Sequence, residues 1–324
     1  MDPNTNTAGE GELHQVEELW FSSDTVIIRA QDRIFRVFAA ILKQKSSVFA
    51  DMFAFPQPAS SDVETMDGVP VVTVHDDPAE MEVFLKAIFD SDFFMPPPAT
   101  ATIHNCLGIL RLAHKYDVPY LRRRSLEHLH SMFPSCPSDL IRDPRRSSQK
   151  TSQKFDEIVA TIATGTEVGA LWLLPVVYYL VLSKWNLSGV IRQPQWLALG
   201  AEQQMAGIGG YPGLANQAHK IFSFFFIARN EDDEGCLDWA ECNRKRILAS
   251  SRILSFISEV SPASAMRYSM EGHWEGLGLC EHCLPEAQEM HRAATQTCWD
   301  VLPTIFGFPE WEQLEQMRNA ALAP

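Results

Sequence analysis

Phe35-Arg-Val-Phe-Ala-Ala-Ile-Leu-Lys-Gln-Lys-Ser-Ser-Val-Phe-Ala-Asp-Met-Phe53 changes its apolar period part-way along. Phe35 and Val37 alternate with polar neighbours, as on a half-buried strand. Ile41, Leu42, Val48, Phe49, Met52 and Phe53 instead recur at spacings of three and four, as on helices. Just upstream, Asp24-Thr-Val-Ile-Ile-Arg29 supplies a second short apolar run, so the two segments together predict a β-ribbon followed by two helices.

Working outward from there, Val69-Pro-Val-Val-Thr-Val74 predicts another strand, and Asp76-Asp77-Pro78 a turn that starts a helix. Met81, Phe84, Leu85, Ile88 and Phe89 then follow the i, i+3, i+4, i+7, i+8 pattern that makes one helix face apolar. After the stiff Pro96-Pro97-Pro98 connector, Cys106, Leu107, Leu110, Ala113 and Tyr116 continue at helical spacing. A unit from residue 19 to 133 is expected, preceded by a polar, acidic, mobile tail at 1–18. Residues 134–154 hold three prolines and six serines and threonines, which predicts a linker. Within it Arg145-Arg146-Ser147-Ser148 has the form of a phosphorylation acceptor, although short Arg-Ser runs are ordinary in loops.

The segment Ile109 to Leu129, ILRLAHKYDVPYLRRRSLEHL, resembles the BTB (POZ) signature Leu-x-x-Ala-x-Lys-Tyr before a short break and a final helix. The matching residues are Leu110, Ala113, Lys115, Tyr116, Val118 and Leu121. With the opening strands and Ser-x-Val-Phe-x-x-Met-Phe at 46–53, the likeness covers the first folded unit in the right order. Trp20-Phe21 and the Asp51 to Pro58 run make it most similar to the BTB proteins abundant in fungi. The resemblance implies an α+β fold, a helical cluster flanked by a small β-sheet, with protein binding rather than chemistry as its task. It implies homodimerisation through the first strand and helix, or recruitment of a partner such as a cullin-type ubiquitin ligase scaffold. A transcription- or chromatin-associated scaffold is the alternative. Many BTB domains follow the second strand with His and a basic residue, and the basic residue pairs with the strand-opening Asp in a pocket near the dimer seam. Here Phe38 and Ala39 stand at those places, and Asp24 reads as a strand-start residue exposed to water.

At 324 residues, with 46% hydrophobic and 10% aromatic content, the chain has room for about two domains with buried cores. A formal charge of −14 argues against nucleic acid, whose binding draws on cationic side chains. The first residues, MDPNTNTAGEGELHQ, lack the basic start and apolar core of a signal peptide, and seven cysteines is an odd number, so a reducing compartment, cytosol or nucleus, is expected. In that setting the Asn186-Leu-Ser188 sequon is a chance match. Val168 to Leu182 is apolar and uncharged, yet its 15 residues fall short of the roughly 20 that cross a bilayer, and Pro175 interrupts it. A buried core helix, kinked or broken at Pro175, is the reading, with no membrane partner.

Residues 155–324 read as a mostly α-helical second domain without a repeat of fixed period. Gly165, Gly189, Gly207 to Gly213 and Gly272 to Gly278 are expected to punctuate it, Gly207-Ile-Gly-Gly-Tyr-Pro-Gly213 as a turn. Pro309 is placed at a first helical position, with Trp311, Leu314, Met317 and Ala321 as a stripe that docks on the second domain.

One pattern there carries chemistry. Cys236 and Cys242, with Cys280 and Cys283 in a CxxC, could close a tetrahedral thiolate site for a structural zinc, and His273, His282 or His291 could replace one thiolate. Separate buried or surface thiols are the competing reading. A redox pair at Cys280 and Cys283, before a helix starting at Pro285, lacks the strand-helix-strand setting it requires. Glu286, Glu289 and His291 read as a solvated face, and His128 and His130 as an exposed helix end. No nucleophile elbow, phosphate loop or dinucleotide fingerprint is present, so the chain is expected not to be an enzyme. A zinc enzyme built on the Cys/His cluster is the outside alternative.

Overall fold

In the computed structural model the alternating residues at 25–38 pair antiparallel as β2 (Thr25–Ala30) and β3 (Arg33–Phe38), with Val26 opposite Val37 and Ile28 opposite Phe35. Directly paired residues share a sheet face, so Val26, Ile28, Ala30, Phe35 and Val37 form one buried face. The opposite face carries a smaller cluster of Ile27, Ile34 and Val69 with Trp20, Met66 and Val71 against it. The structure describes residues 13–22, 24–54, 64–141, 154–228, 230, 235–236, 238–268, 270 and 273–323.

The sheet is completed by β1 (His14–Trp20), β4 (Thr65–Met66) and β5 (Val69–Val74), in the order β1-β3-β2-β5-β4. The pairs β1–β3 and β2–β5 are parallel, and β4–β5 is antiparallel. The expected tail at 1–18 is corrected here, because the sheet takes up the chain from His14. As an edge strand, β1 buries a single side chain, Leu19, and so shows no apolar alternation to read. Residues 1–12 lie outside the described residues.

Helices α1 (Ala39–Lys45) and α2 (Ser47–Ala54) follow the ribbon as the period change predicts. The α3 helix (Pro78–Phe89) starts where expected: the Asp77 carboxylate accepts from the Ala79 and Glu80 amides at 2.9 and 3.0 Å, and Pro78 occupies the first turn. Its stripe buries Met81, Phe84 and Leu85. On α4 (Ile103–Lys115) Cys106, Leu107, Leu110 and Ala113 are buried, as are Tyr116 just beyond it and Leu121 on α5 (Pro119–Met132). The buried Asp76 carboxylate accepts from Lys115 Nζ at 2.6 Å and Tyr116 OH at 2.5 Å, tying the start of α3 to the end of α4. Tyr116 in turn stacks on Phe49 of α2 at 4.5 Å. His128 departs from the expected exposed helix end: it is buried, with Nε2 2.7 Å from the Met95 carbonyl and its ring against Phe94. His130 is half-buried, and burial together with Arg318 lowers its pKa.

The chain divides into two compact units between Leu129 and His130, inside α5 and a few residues before the expected 133. The second unit is helical, so the chain as a whole is α+β. Within the expected linker, Pro137–Ile141 forms the short α6; Arg145 to Ser148 lie outside the described residues. Beyond α7 (Phe155–Glu167) comes a 3-10 turn, Leu171–Leu173, and then α8 (Leu174–Lys184), buried all round from Leu174 to Ser183. Pro175 therefore starts a helix instead of kinking one, since the first turn needs no amide donor there. No helix among the described residues is long and apolar enough to cross a membrane.

After α9 (Leu187–Val190) and α10 (Pro194–Leu197), α11 runs unbroken from Ala201 to Ile221, through the glycines expected to form a turn. Their purpose is close approach. A Cβ on Gly207 would lie 2.4 Å from the Trp196 ring, and one on Gly210 2.3 Å from the Phe306 ring. Gly165 and Gly189 likewise lie within helices. The unit is completed by α12 (Trp239–Val260), α13 (Cys283–Asp300), α14 (Leu302–Ile305) and α15 (Trp311–Leu322). Glu310, not Pro309, caps α15. Of its stripe, Leu314 is buried, and Trp311 stacks on Trp299 at 5.2 Å while its Nε1 donates to the Trp299 carbonyl at 2.7 Å; Met317 stays exposed.

Because Leu19 is 1% exposed on a strand with no other buried side chain, Leu19→Ala is expected to destabilise the first unit by about 2–5 kcal/mol. Urea unfolding of the variant checks this, and an unchanged midpoint would show that β1 adds nothing.

Candidate metal centre

The two cysteine pairs, distant in sequence, converge in the second unit. One ligand atom each from Cys236, Cys242, Cys280 and Cys283 lies within 4.8 Å of the other three. Cys236 Sγ is 3.4 Å from Cys283 Sγ and 3.9 Å from Cys280 Sγ. The helices explain the convergence. Asp238 Oδ1 accepts from the Glu241 amide at 3.0 Å, so α12 begins with Cys242 in its first turn. The second pair brackets the start of α13, with Cys283 as its first residue and the Cys283 amide donating to Cys280 Sγ at 3.4 Å. The helix thus starts at Cys283, not at Pro285.

Backbone turns aim each pair. Gly235, at φ 97°, precedes Cys236, and a Cβ there would lie 2.8 Å from His282 Nδ1. Gly278, at φ 63°, leads into Cys280, and its carbonyl accepts from Lys245 Nζ at 2.7 Å. Glycine carries both left-handed conformations without a Cβ penalty. Two helix N-termini place positive potential beside the sulfurs, and Lys245 is paired with Glu241.

Cys242 and Cys283 are buried, and Cys236 and Cys280 half-buried; none of the four is in a disulfide, and their sulfurs lie together as a cluster and not as separate cysteines. Burial pushes the Cys242 and Cys283 thiols up, and for Cys283 hydrogen bonding to Cys236 and Cys280 adds to it. Four soft donors converging on one point leave no position for a substrate, which suits a structural cation and not a catalytic one.

None of the three histidines belongs to this donor set. His282 packs over Gly235, exposed His273 lies against the Tyr268 ring, and His291 is buried among Phe222, Phe224 and Trp274. The solvated face expected of Glu286, Glu289 and His291 is corrected for His291, because Cys283, Ala287, His291, Thr295 and Cys298 line the buried side of α13. Their spacing of four and three carried that signal. A second buried polar group went unread: Arg246 of α12 is 1% exposed, and its Nη1 donates to the Phe224 and Ile227 carbonyls at 3.4 and 3.2 Å. Asn243-Arg-Lys-Arg-Ile247 has the look of a solvated basic stretch, which hides it.

In the first unit, Asp24 is exposed, as expected of a strand-start residue, and holds φ 47°. Phe38 stacks on Phe21 at 4.7 Å, and Phe21 lies against Phe89 at 5.7 Å, while Ala39 begins α1.

A profile of the BTB/POZ domain family matches residues 13–132. The chain is a BTB domain-containing protein. The match begins at the strand that sequence periodicity left in the tail, and ends with α5. No match was found among curated proteins. A BTB domain is a protein-interaction module, and residues 13–132 supply one.

Burial lowers the pKa of His291 to about 4, from about 6.5 in an unfolded chain. The unfolded state then binds the extra proton, and stability falls as pH drops from about 6.5 towards 4, by of order 3 kcal/mol in all. His291→Phe keeps the ring cage filled and should remove that part of the acid sensitivity. Melting temperatures of both proteins across this range test it; parallel declines would contradict the assignment.

Proposed function

We propose that this chain is a substrate adaptor for a cullin-type ubiquitin ligase: the BTB domain grips the scaffold, and the helical second unit selects the protein to be modified. The BTB match at residues 13–132 carries the reading, since it supplies the interaction module, and the helical unit is a compact body of its own available for a second partner. The four-thiol cluster supports a non-enzymatic second unit, because its donors close on one another.

Two features favour a scaffold over self-association. Phe38 and Ala39 replace the charged pocket that accompanies dimer formation in related domains, and Phe38 is held by Phe21 inside its own chain. The edge strand β1 pairs with β3 of the same chain. A chromatin-associated scaffold fits less well, because a formal charge of −14 opposes direct contact with DNA. The adaptor reading places the chain in the cytosol or nucleus, where its cysteines stay reduced.

Calorimetric titration of the purified chain with the purified N-terminal region of a cullin-type scaffold tests the proposal. The expected result is a one-to-one complex with Kd of about 1 μM or tighter, equivalent to about 8 kcal/mol. A folded chain that gives no binding heat at tens of micromolar, or that sediments as a tight dimer and ignores the scaffold, would overturn it.

A further inference from the structure

We propose that Cys236, Cys242, Cys280 and Cys283 hold one zinc ion in a closed, tetrahedral tetra-thiolate site that clamps the N-termini of α12 and α13 together. The geometry carries this. Zinc–sulfur bonds of about 2.3 Å in a tetrahedron separate the sulfurs by about 3.8 Å. The separations of 3.4 and 3.9 Å from Cys236, with all four donors inside 4.8 Å, leave room for one such ion and none for a larger cavity.

Each surrounding feature has a use in such a site. The Cys283 amide already points at Cys280 Sγ, the arrangement that steadies a thiolate on a metal. Four thiolates around Zn2+ leave a net charge of −2, which the starts of two long helices, α12 and α13, favour; Lys245, paired with Glu241, holds the Gly278 carbonyl two residues before Cys280. Gly235 lets the His282 ring lie close to the chain beside Cys236 without joining the donor set. On binding, the thiol protons leave to solvent and the sulfur lone pairs form four bonds to zinc, with no change of oxidation state.

Both α12 and α13 rest on the Ser223–Phe226 turn, and the four sulfurs lie where the two helices start. Metal binding then becomes folding energy for the second unit, while the BTB domain folds on its own sheet and helices. This inference is independent of the adaptor reading: a chain that ignores the cullin scaffold can still hold zinc.

Elemental analysis of the purified full chain tests it, together with cobalt(II) titration after the metal has been removed with a chelator. One equivalent of zinc is expected, and cobalt should give the intense visible absorption of a tetrahedral tetra-thiolate. Cys283→Ser should lose the full equivalent, whereas Cys298→Ser, which removes a buried thiol of α13 outside the cluster, should keep it. If Cys283→Ser fails to fold, the cobalt spectrum of the unaltered chain still decides. A chain without zinc and without the cobalt-thiolate band, one carrying iron at the four sulfurs, or one whose four cysteines are paired in disulfides would overturn the proposal.

Discussion

The convergence of four sulfurs on one point is the constraint that fixes where α12 and α13 begin in the second unit. Two cysteine pairs far apart in sequence can meet only if α12 and α13 both begin at that point, and the capping Asp238 and the left-handed Gly235 and Gly278 all serve to start them there. A cluster of buried thiols has little to hold it together by itself, since sulfhydryls are weak donors and weak acceptors. The proposed zinc would turn that cluster into four strong bonds joining the starts of two helices that share the Ser223–Phe226 turn.

The BTB domain solves its folding problem differently. Its sheet is buried on both faces, and one face is closed by helices whose stripes follow ordinary periodicity. Two buried polar groups inside it are bonded across elements: Asp76 takes hydrogen bonds from Lys115 and Tyr116, and Ser46 Oγ donates to the Tyr116 carbonyl at 2.5 Å. Such a unit is a protein-interaction module. At the end of β3, Phe38 is held by stacking on Phe21, next to Ala39 at the start of α1.

What could be read in the sequence depended on whether a residue's role was set by its neighbours in the chain. The stripe Met81, Phe84, Leu85 and the cap Asp77-Pro78 were legible because helix period and capping are local. The CxxC at Cys280 and Cys283 was legible for the same reason, and it drew attention to Cys236 and Cys242 although no local rule joins the two pairs. The glycines at 207 and 210 misled because their reason lies in Trp196 and Phe306, which only the tertiary fold brings to them. His291 misled because its cage of Phe222, Phe224 and Trp274 comes from two other segments. The edge strand β1, with Leu19 alone inside, had no periodicity to show. Pro175 misled in the opposite sense: a helix breaker in mid-run became a helix starter once the preceding residues formed a 3-10 turn.

X-ray absorption at the zinc edge of the purified chain tests the central claim most directly, because it counts the scattering atoms around the ion and measures their distance. The account predicts four sulfur neighbours at about 2.3 Å and no nitrogen or oxygen in the first shell. A first shell containing nitrogen or oxygen, or a chain with no bound zinc to excite, would contradict it.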